Sequence, residues 1–123
     1  MKTYIVDTYA WISYFEGKEA FKFKEEIEDN DLETPSIVLA EITRVFRRKG
    51  LPWDVYSKTL NYIKRHSLIL PLDTDHAIKS GEIAEREGLY LIDAIIYSYV
   101  DEDKDLLTGD EHFRGKPNVK LLK

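Results

Sequence analysis

Short apolar segments typical of buried strands alternate with amphipathic segments of helical spacing along the chain. The predicted strands are short and apolar, and they cover positions 3–6, 32–35, 68–70, 105–108 and 119–122. The predicted helices between them cover 9–15, 19–28, 38–48, 52–65, 74–87 and 91–99. Because alternating strands and helices form parallel sheets covered on both faces, this pattern predicts an α/β fold.

Glycines and capping residues set the expected helix ends. Gly17 and Gly50 follow the first and third predicted helices, and Gly88 closes the fifth. Asp73 and Asp75 resemble an acidic pair for metal binding. The helical spacing of the apolar residues that follow favours a helix cap at this point instead.

Composition limits the chemistry that the chain can carry. Its 123 residues suit one compact domain, which we expect to span 1–123. The absence of cysteine excludes disulfides, thiolate metal sites and cysteine nucleophiles, and the three histidines lack the spacing of a zinc site. The net charge of −5 argues against nucleic-acid binding when taken alone. Carboxylates gathered around a cation, however, weaken that argument.

The sequence shows no targeting or membrane-spanning segment. The first apolar run stops at Asp7, too early for the core of a signal peptide. The most apolar stretch, 89–100, carries Asp93 in its middle. We therefore expect a cytoplasmic protein with no membrane partner.

Four acidic residues are predicted to meet at one edge of the sheet. Asp7 directly follows the first predicted strand, and Asp110 follows the fourth strand two residues after Thr108. In open α/β sheets, ligands bind outside the carboxyl ends of the strands. Glu41 borders the apolar face of its helix, and Asp93 interrupts an apolar segment, where a charge is costly unless it is paired or bound to metal.

Each of these acids also has a purely structural interpretation. Asp7 and Asp110 suit turns, Asp93 suits a helix N-cap, and Glu41 suits a solvated helix surface. Their predicted position at the same sheet edge favours a metal site. Clustered carboxylates repel one another, and a bound Mg²⁺ or Mn²⁺, which prefers oxygen ligands, offsets that repulsion. Metal-assisted hydrolysis is the chemistry most open to such a set.

Four motifs resemble those of PIN-domain ribonucleases, in the same order along essentially the whole chain. They lie at 5–8, 36–41, 91–96 and 106–113, and the last is the most specific. The resemblance implies a three-layer α/β/α sandwich with a mainly parallel sheet of four to five strands. At this length, the chain is most similar to the VapC-type toxins of prokaryotic toxin–antitoxin pairs.

That resemblance implies an endoribonuclease, a hydrolase that cleaves RNA phosphodiesters with water activated by Mg²⁺ or Mn²⁺. It implies that the metal ligands and catalytic residues are Asp7, Glu41, Asp93 and Asp110. It further implies a homodimer, and a small antitoxin whose tail blocks the site.

The chain departs from the family pattern at two places. Tyr9 stands where a serine usually follows the first motif, which bears on hydroxyl contacts near the metal. Tyr97 and Tyr99 replace small residues in the helix after Asp93, which bears on helix packing or the dimer face. Neither departure removes a carboxylate.

Four further residues accompany the acids. The hydroxyls of Thr8 and Thr108 are expected to orient carboxylates or water. Arg44 and Arg48 share a helix with Glu41, and they are expected either to contact RNA phosphates or to form a solvated helix surface.

Three alternatives remain open. The first is an RNA-processing PIN nuclease without an antitoxin, and the second is an inactive RNA-binding module. The third is a Mg²⁺-binding phosphoacceptor receiver domain, which needs an aspartate after its third strand and a lysine after its fifth. Asp73 suits the first requirement, but no lysine suits the second.

Overall fold

A single parallel sheet forms the centre of the protein. The computed structural model describes residues 1–16 and 20–122. Within them, all strand pairs are parallel. The strands are β1 (Thr3–Val6), β2 (Asp31–Pro35), β3 (Leu68–Leu70), β4 (Lys104–Thr108) and β5 (Val119–Leu121). Their spatial order is β3-β2-β1-β4-β5, which confirms the predicted parallel α/β fold.

Helices connect the strands, as the alternating pattern predicts. The α-helices among the described residues are α1 (Thr8–Phe15), α2 (Ala20–Glu28), α3 (Ser36–Arg48), α4 (Trp53–His66), α5 (Thr74–Glu87) and α6 (Leu91–Tyr97). The predicted stop at Gly17 and the predicted helix start at Glu19 lie outside the described residues. In the part of the chain that is described, no helix has the length and apolar character needed to cross a membrane.

The last helix is shorter than predicted: it ends at Tyr97, and the prediction extended it to Tyr99. The Tyr99 ring stacks on His76 with centroids 4.1 Å apart, and its hydroxyl donates to the carbonyl of Pro71. These contacts tie Tyr99 to α5 and to the loop before it, away from the axis of α6. A tertiary contact therefore overrides the local helical pattern.

Helices cover both faces of the sheet. Consecutive strand residues point to opposite faces. On one face, Nε1 of Trp11 in α1 donates to Oγ1 of Thr34 at 3.1 Å. On the other, Nζ of Lys104 donates to Glu33 at 2.9 Å, and this pair lines a cavity of about 350 Å³ together with His76 of α5. The arrangement is the α/β/α sandwich expected from the sequence.

The two central strands are buried on both sides. Ile5 and Val6 of β1 and Leu106 and Leu107 of β4 are consecutive pairs with no exposed surface. Because neighbouring side chains point to opposite faces, each strand must be covered by helices above and below. Each such side chain contributes about 1.5–3 kcal/mol by burial.

The strand order creates a crevice at the carboxyl ends of β1 and β4. These strands are neighbours, yet the chain leaves β1 towards β2 on one side and leaves β4 towards β5 on the other. Such a topological switch point is where open α/β sheets bind ligands. Asp7 follows β1 directly, and Asp110 lies two residues beyond β4.

The same order excludes the receiver-domain alternative. A receiver-like sheet has the order β2-β1-β3-β4-β5, which places the third strand at its centre. Here β3 lies at the edge beside β2. Asp73, the residue that the alternative required, caps α5 by accepting the amide of His76 at 2.8 Å. The predicted capping role of Asp73 is confirmed.

Candidate functional site

Asp7 is a buried carboxylate with both oxygens occupied. It is only 3% exposed, and it is the N-cap of α1. Oδ1 accepts the amide of Ala10 at 2.8 Å, and Oδ2 accepts the hydroxyl of Thr108. Burial raises the pKa of Asp7 to about 7, against the lowering effect of these hydrogen bonds. The nearby charges of Asp110 and Asp93 contribute to this increase.

Asp110 is held by groups on both sides of it in the sequence. Its amide donates to Oγ1 of Thr108 at 2.9 Å, so that one hydroxyl contacts both Asp7 and the Asp110 backbone. Its Oδ1 accepts the amide of His112 at 2.9 Å and lies 2.7 Å from Nδ1 of the same histidine. A short 3₁₀ turn at Glu111–Phe113 makes this double contact possible. The carboxylate of Asp110 is therefore fixed in direction.

Glu41 reaches the site from α3. Its Oε1 accepts the hydroxyl of Thr8 at 2.6 Å. Thr8 is the first residue of α1 and follows Asp7 directly. This contact attaches the half-buried Glu41 to the loop that carries the first aspartate, as expected for a group that orients a carboxylate.

Asp93 is not the N-cap of a helix, so the purely structural role offered for it from the sequence is wrong. The N-cap of α6 is Tyr90, which makes no side-chain capping bond, and Asp93 lies in the first turn. The pKa of Asp93 is raised to about 6, mainly by burial and then by the charges of Asp110 and Glu41, against a lowering effect of His112. These mutual effects place Asp93 in the same electrostatic neighbourhood as the other acids.

The structure brings Asp93 and Asp110 close together and places His112 with them, whereas Asp7 and Glu41 are linked to these two acids by the effect of charge on pKa. One ligand atom each from Asp93, Asp110 and His112 lie within 4.8 Å of one another. The charges of Asp110 and Asp93 help to raise the pKa of Asp7, and the charge of Glu41 helps to raise the pKa of Asp93. No lysine or arginine among residues 1–16 and 20–122 forms a direct ion pair with any of the four carboxylates.

The donor set fits a hard divalent cation. It is dominated by carboxylate oxygens, which Mg²⁺ and Mn²⁺ prefer. Two of the carboxylates have pKa values raised by burial and mutual repulsion, and a bound cation would reverse that effect. Asp7, Glu41, Asp93 and Asp110 are the residues that could hold it.

Sequence reasoning did not assign His112 to this group. The histidine is exposed, with 57% of its side chain accessible, and its Nδ1 is engaged by Asp110. Its position two residues after Asp110 was the available signal. That signal is informative only once the 3₁₀ turn is known, because the turn brings residues of this spacing together.

Arg44 and Arg48 lie on α3 beyond Glu41. They follow it by three and seven residues, so both lie on its side of the helix, roughly 4.5 and 10.5 Å farther along the axis. Both are exposed, and neither forms an ion pair with a described residue. Their charges are therefore available to a phosphate, and Arg44 is the nearer of the two to the acids.

The sequence matches the PIN domain family over residues 4–118, a range that contains all four acids. No curated protein matches the chain in sequence.

Solved structures with the same fold include three toxin–antitoxin assemblies. A toxin–antitoxin complex from Klebsiella pneumoniae is similar with a TM-score of 0.75 and 21% identity, over 95% of each chain. The DNA-bound VapBC from Salmonella typhimurium has a TM-score of 0.74 and 21% identity, over 98% of this chain and 97% of that one. VapBC2 from Rickettsia felis, bound to a DNA fragment from its promoter, has a TM-score of 0.71 and 20% identity, over 98% and 99%. At these identities the similarity is one of fold.

Proposed function

The chain belongs to the PIN-domain family, and from that premise we propose that it is a divalent-cation-dependent endoribonuclease. PIN domains as a class are hydrolytic nucleases. The observation that supports the proposal is that Asp93 and Asp110 offer ligand atoms within 4.8 Å of each other. The pKa of Asp7 responds to the charges of both, and the pKa of Asp93 responds to the charge of Glu41. Burial and repulsion make that cluster unfavourable without a cation.

In this proposal Asp7, Glu41, Asp93 and Asp110 hold Mg²⁺ or Mn²⁺. When bound, such a cation offsets negative charge on a phosphodiester and lowers the pKa of water at the site. The protein's own contribution is orientation, because three of the four carboxylates are restrained before substrate arrives.

Three neighbours provide that restraint. Thr108 donates to Asp7, Thr8 donates to Glu41, and His112 contacts Asp110. Fixing a carboxylate in this way reduces the conformational entropy lost on ligand binding. Activity should therefore depend on these three neighbours, although they do not themselves touch the phosphate.

A cleavage assay tests the proposal. The purified protein should cut RNA with Mg²⁺ or Mn²⁺, and EDTA should stop cleavage. Asp7→Asn should be inactive, although asparagine retains the capping geometry at the start of α1. Asp73→Asn is the matched control, because Asp73 caps α5 away from the four acids. Cleavage that continues in EDTA, or in Asp7→Asn, would contradict the metal-dependent mechanism.

We further propose that the protein is the toxin of a toxin–antitoxin pair and forms a homodimer. The support is the similarity of fold to three such assemblies. A small protein encoded beside it should co-purify with the chain and suppress cleavage, and light scattering should give the mass of a dimer for the chain alone. Expression that is harmless to cells, together with full activity on RNA, would favour an RNA-processing nuclease. RNA binding without any cleavage would favour an inactive module.

A further inference from the structure

An imidazole nitrogen lies among the carboxylate oxygens of the site. Asp93, Asp110 and His112 each bring one ligand atom within 4.8 Å of the other two. In the part of the chain that the structure describes, this is the only group of three such residues close enough to share a metal ion. A cation held by this group would meet a nitrogen donor, which a set of acids alone does not provide.

The spacing of these atoms suits neighbouring ligands of one cation. Nδ1 of His112 lies 2.7 Å from Oδ1 of Asp110. In an octahedron with metal–ligand bonds of about 2.1 Å, adjacent ligand atoms are about 3.0 Å apart and opposite ones about 4.2 Å. The three side chains therefore need only small shifts to meet a common ion.

The imidazole is attached to both elements that carry the two aspartates. The ring of Tyr90 meets it edge to face, with centroids 5.4 Å apart and planes at 79°. Tyr90 is the N-cap of α6, and Asp93 lies in the first turn of the same helix. The amide of His112 donates to Oδ1 of Asp110 at 2.9 Å, so the 3₁₀ turn fixes the point from which the ring starts. The nitrogen is thus in place before an ion binds.

A second histidine shows the same local contact without a third ligand. His76 donates its amide to Oδ1 of Asp73 at 2.8 Å, and its Nδ1 lies 2.9 Å from the same oxygen. Asp73 is the N-cap of α5, and no further acid of the described residues brings a ligand atom equally close to this pair. The contact of a histidine with a capping aspartate is therefore a local backbone feature. What distinguishes His112 is the presence of Asp93.

We propose that His112 is a nitrogen ligand of the bound cation, together with Asp93 and Asp110, and that it makes the site favour Mn²⁺ over Mg²⁺. This inference rests on the proposed cation-dependent function. Mg²⁺ is a hard ion that keeps oxygen ligands and several waters, whereas imidazole is a donor for first-row transition-metal ions. A nitrogen in the donor set therefore adds affinity for Mn²⁺ and adds little for Mg²⁺.

The test measures cation binding directly, without RNA. The protein is titrated with Mg²⁺ and with Mn²⁺ by calorimetry, and bound Mn²⁺ is examined by pulsed electron paramagnetic resonance, which detects a nitrogen nucleus coordinated to the ion. Wild type should show this nitrogen coupling. His112→Asn should lose it and bind Mn²⁺ about tenfold more weakly, with the affinity for Mg²⁺ nearly unchanged. Asparagine retains a side-chain amide that can still donate to Asp110, so the variant separates ligation from positioning.

His76→Asn is the matched control, because it alters the same kind of contact at a capping aspartate. It should leave both affinities and the nitrogen coupling unchanged, and melting temperatures confirm that each variant is folded. Bound Mn²⁺ without nitrogen coupling in wild type overturns the inference and leaves the proposed function in place. Equal losses of Mg²⁺ and Mn²⁺ affinity in His112→Asn do the same, because they would make His112 a positioning residue of Asp110. If wild type binds neither cation, both the inference and the cation-dependent function are overturned.

Discussion

The hydroxyl of Thr8 donates a 2.6 Å hydrogen bond to Oε1 of Glu41, across 33 positions of sequence. Glu41 lies on a helix whose buried side chains, such as Ile42, face the core. Without a partner, a carboxylate at the border of such a face is free to turn towards solvent. Thr8, which follows Asp7 directly, holds the Glu41 carboxylate at the start of α1.

Replacing Thr8 by valine should therefore lower activity without removing any carboxylate. We expect kcat/KM to fall roughly tenfold to a hundredfold, as for other residues that orient metal ligands. Thr8→Ser, which keeps the hydroxyl, should restore most of it. The measurement is RNA cleavage across a titration of Mg²⁺. Equal activity of the valine and serine variants would show that this hydrogen bond does not position Glu41.

Asp93→Asn separates metal binding from a structural role. Metal-dependent cleavage should collapse because a charged ligand is lost, whereas the metal-free protein should become more stable because a repelling charge has been removed. Mg²⁺ should raise the melting temperature of wild type, since it binds the folded state, and this rise should shrink in the variant.

The matched control is Asp73→Asn, at an aspartate that caps a helix. Asparagine caps about as well as aspartate, so this variant should keep both activity and the metal-induced shift. An active Asp93→Asn protein with an unchanged shift would remove Asp93 from the site.

The metal-free protein should lose stability as the pH rises through the neutral range. Burial raises the pKa of Asp7 to about 7 and that of Asp93 to about 6, whereas an unfolded aspartate titrates near about 3.9. Between these values the folded state binds more protons than the unfolded state, so the free energy of unfolding falls as pH increases from about 4 to about 7.

Thermal melts in a chelator should accordingly give a higher melting temperature near about pH 5 than near about pH 7.5. Asp7→Asn should flatten this dependence, because the group that titrates most strongly is gone. Saturating Mg²⁺ should flatten it in wild type. A metal-free melting temperature that increases steadily over the same range would contradict the burial of an ionisable Asp7.

Arg44 should contribute to RNA affinity through phosphate contact. Arg44→Gln should weaken binding of all RNA sequences similarly and reduce the slope of log affinity against log salt by about one. Arg48→Gln should have a smaller effect, because it lies farther from Glu41 along α3. Lys64→Gln, in the last turn of α4, is the control and should change neither quantity. An unaltered salt slope for Arg44→Gln would assign that residue to the solvated surface.

Features that depend on local pattern could be predicted from the sequence. The strand 3–6, the Asp73 cap and the Gly88 helix end depend on nearby residues, and the structure confirms them. The convergence of Asp7 and Asp110 could also be predicted, because the carboxyl ends of parallel strands meet at one edge.

Features that depend on tertiary contacts could not be predicted. The edge position of β3 is a property of the sheet topology, and the spacing of apolar residues along the chain does not predict strand order. The contact of His112 with Asp110 depends on a 3₁₀ turn, and the early end of α6 depends on the stacking of Tyr99 against His76. Asp93 was ambiguous for a related reason, since an aspartate in a first turn resembles a cap until the cap itself is seen at Tyr90.

Asp7 caps α1 and is also one of the acids proposed to hold the cation, so substitutions at this position differ in which of the two roles they remove. The same carboxylate caps α1 and belongs to the acidic cluster, so alanine at this position would remove both at once and cost about 1 kcal/mol at the helix alone. Asparagine would remove only the charge. Related proteins that keep the fold without catalysis should therefore carry asparagine or serine at position 7 more often than alanine, because both residues still cap α1.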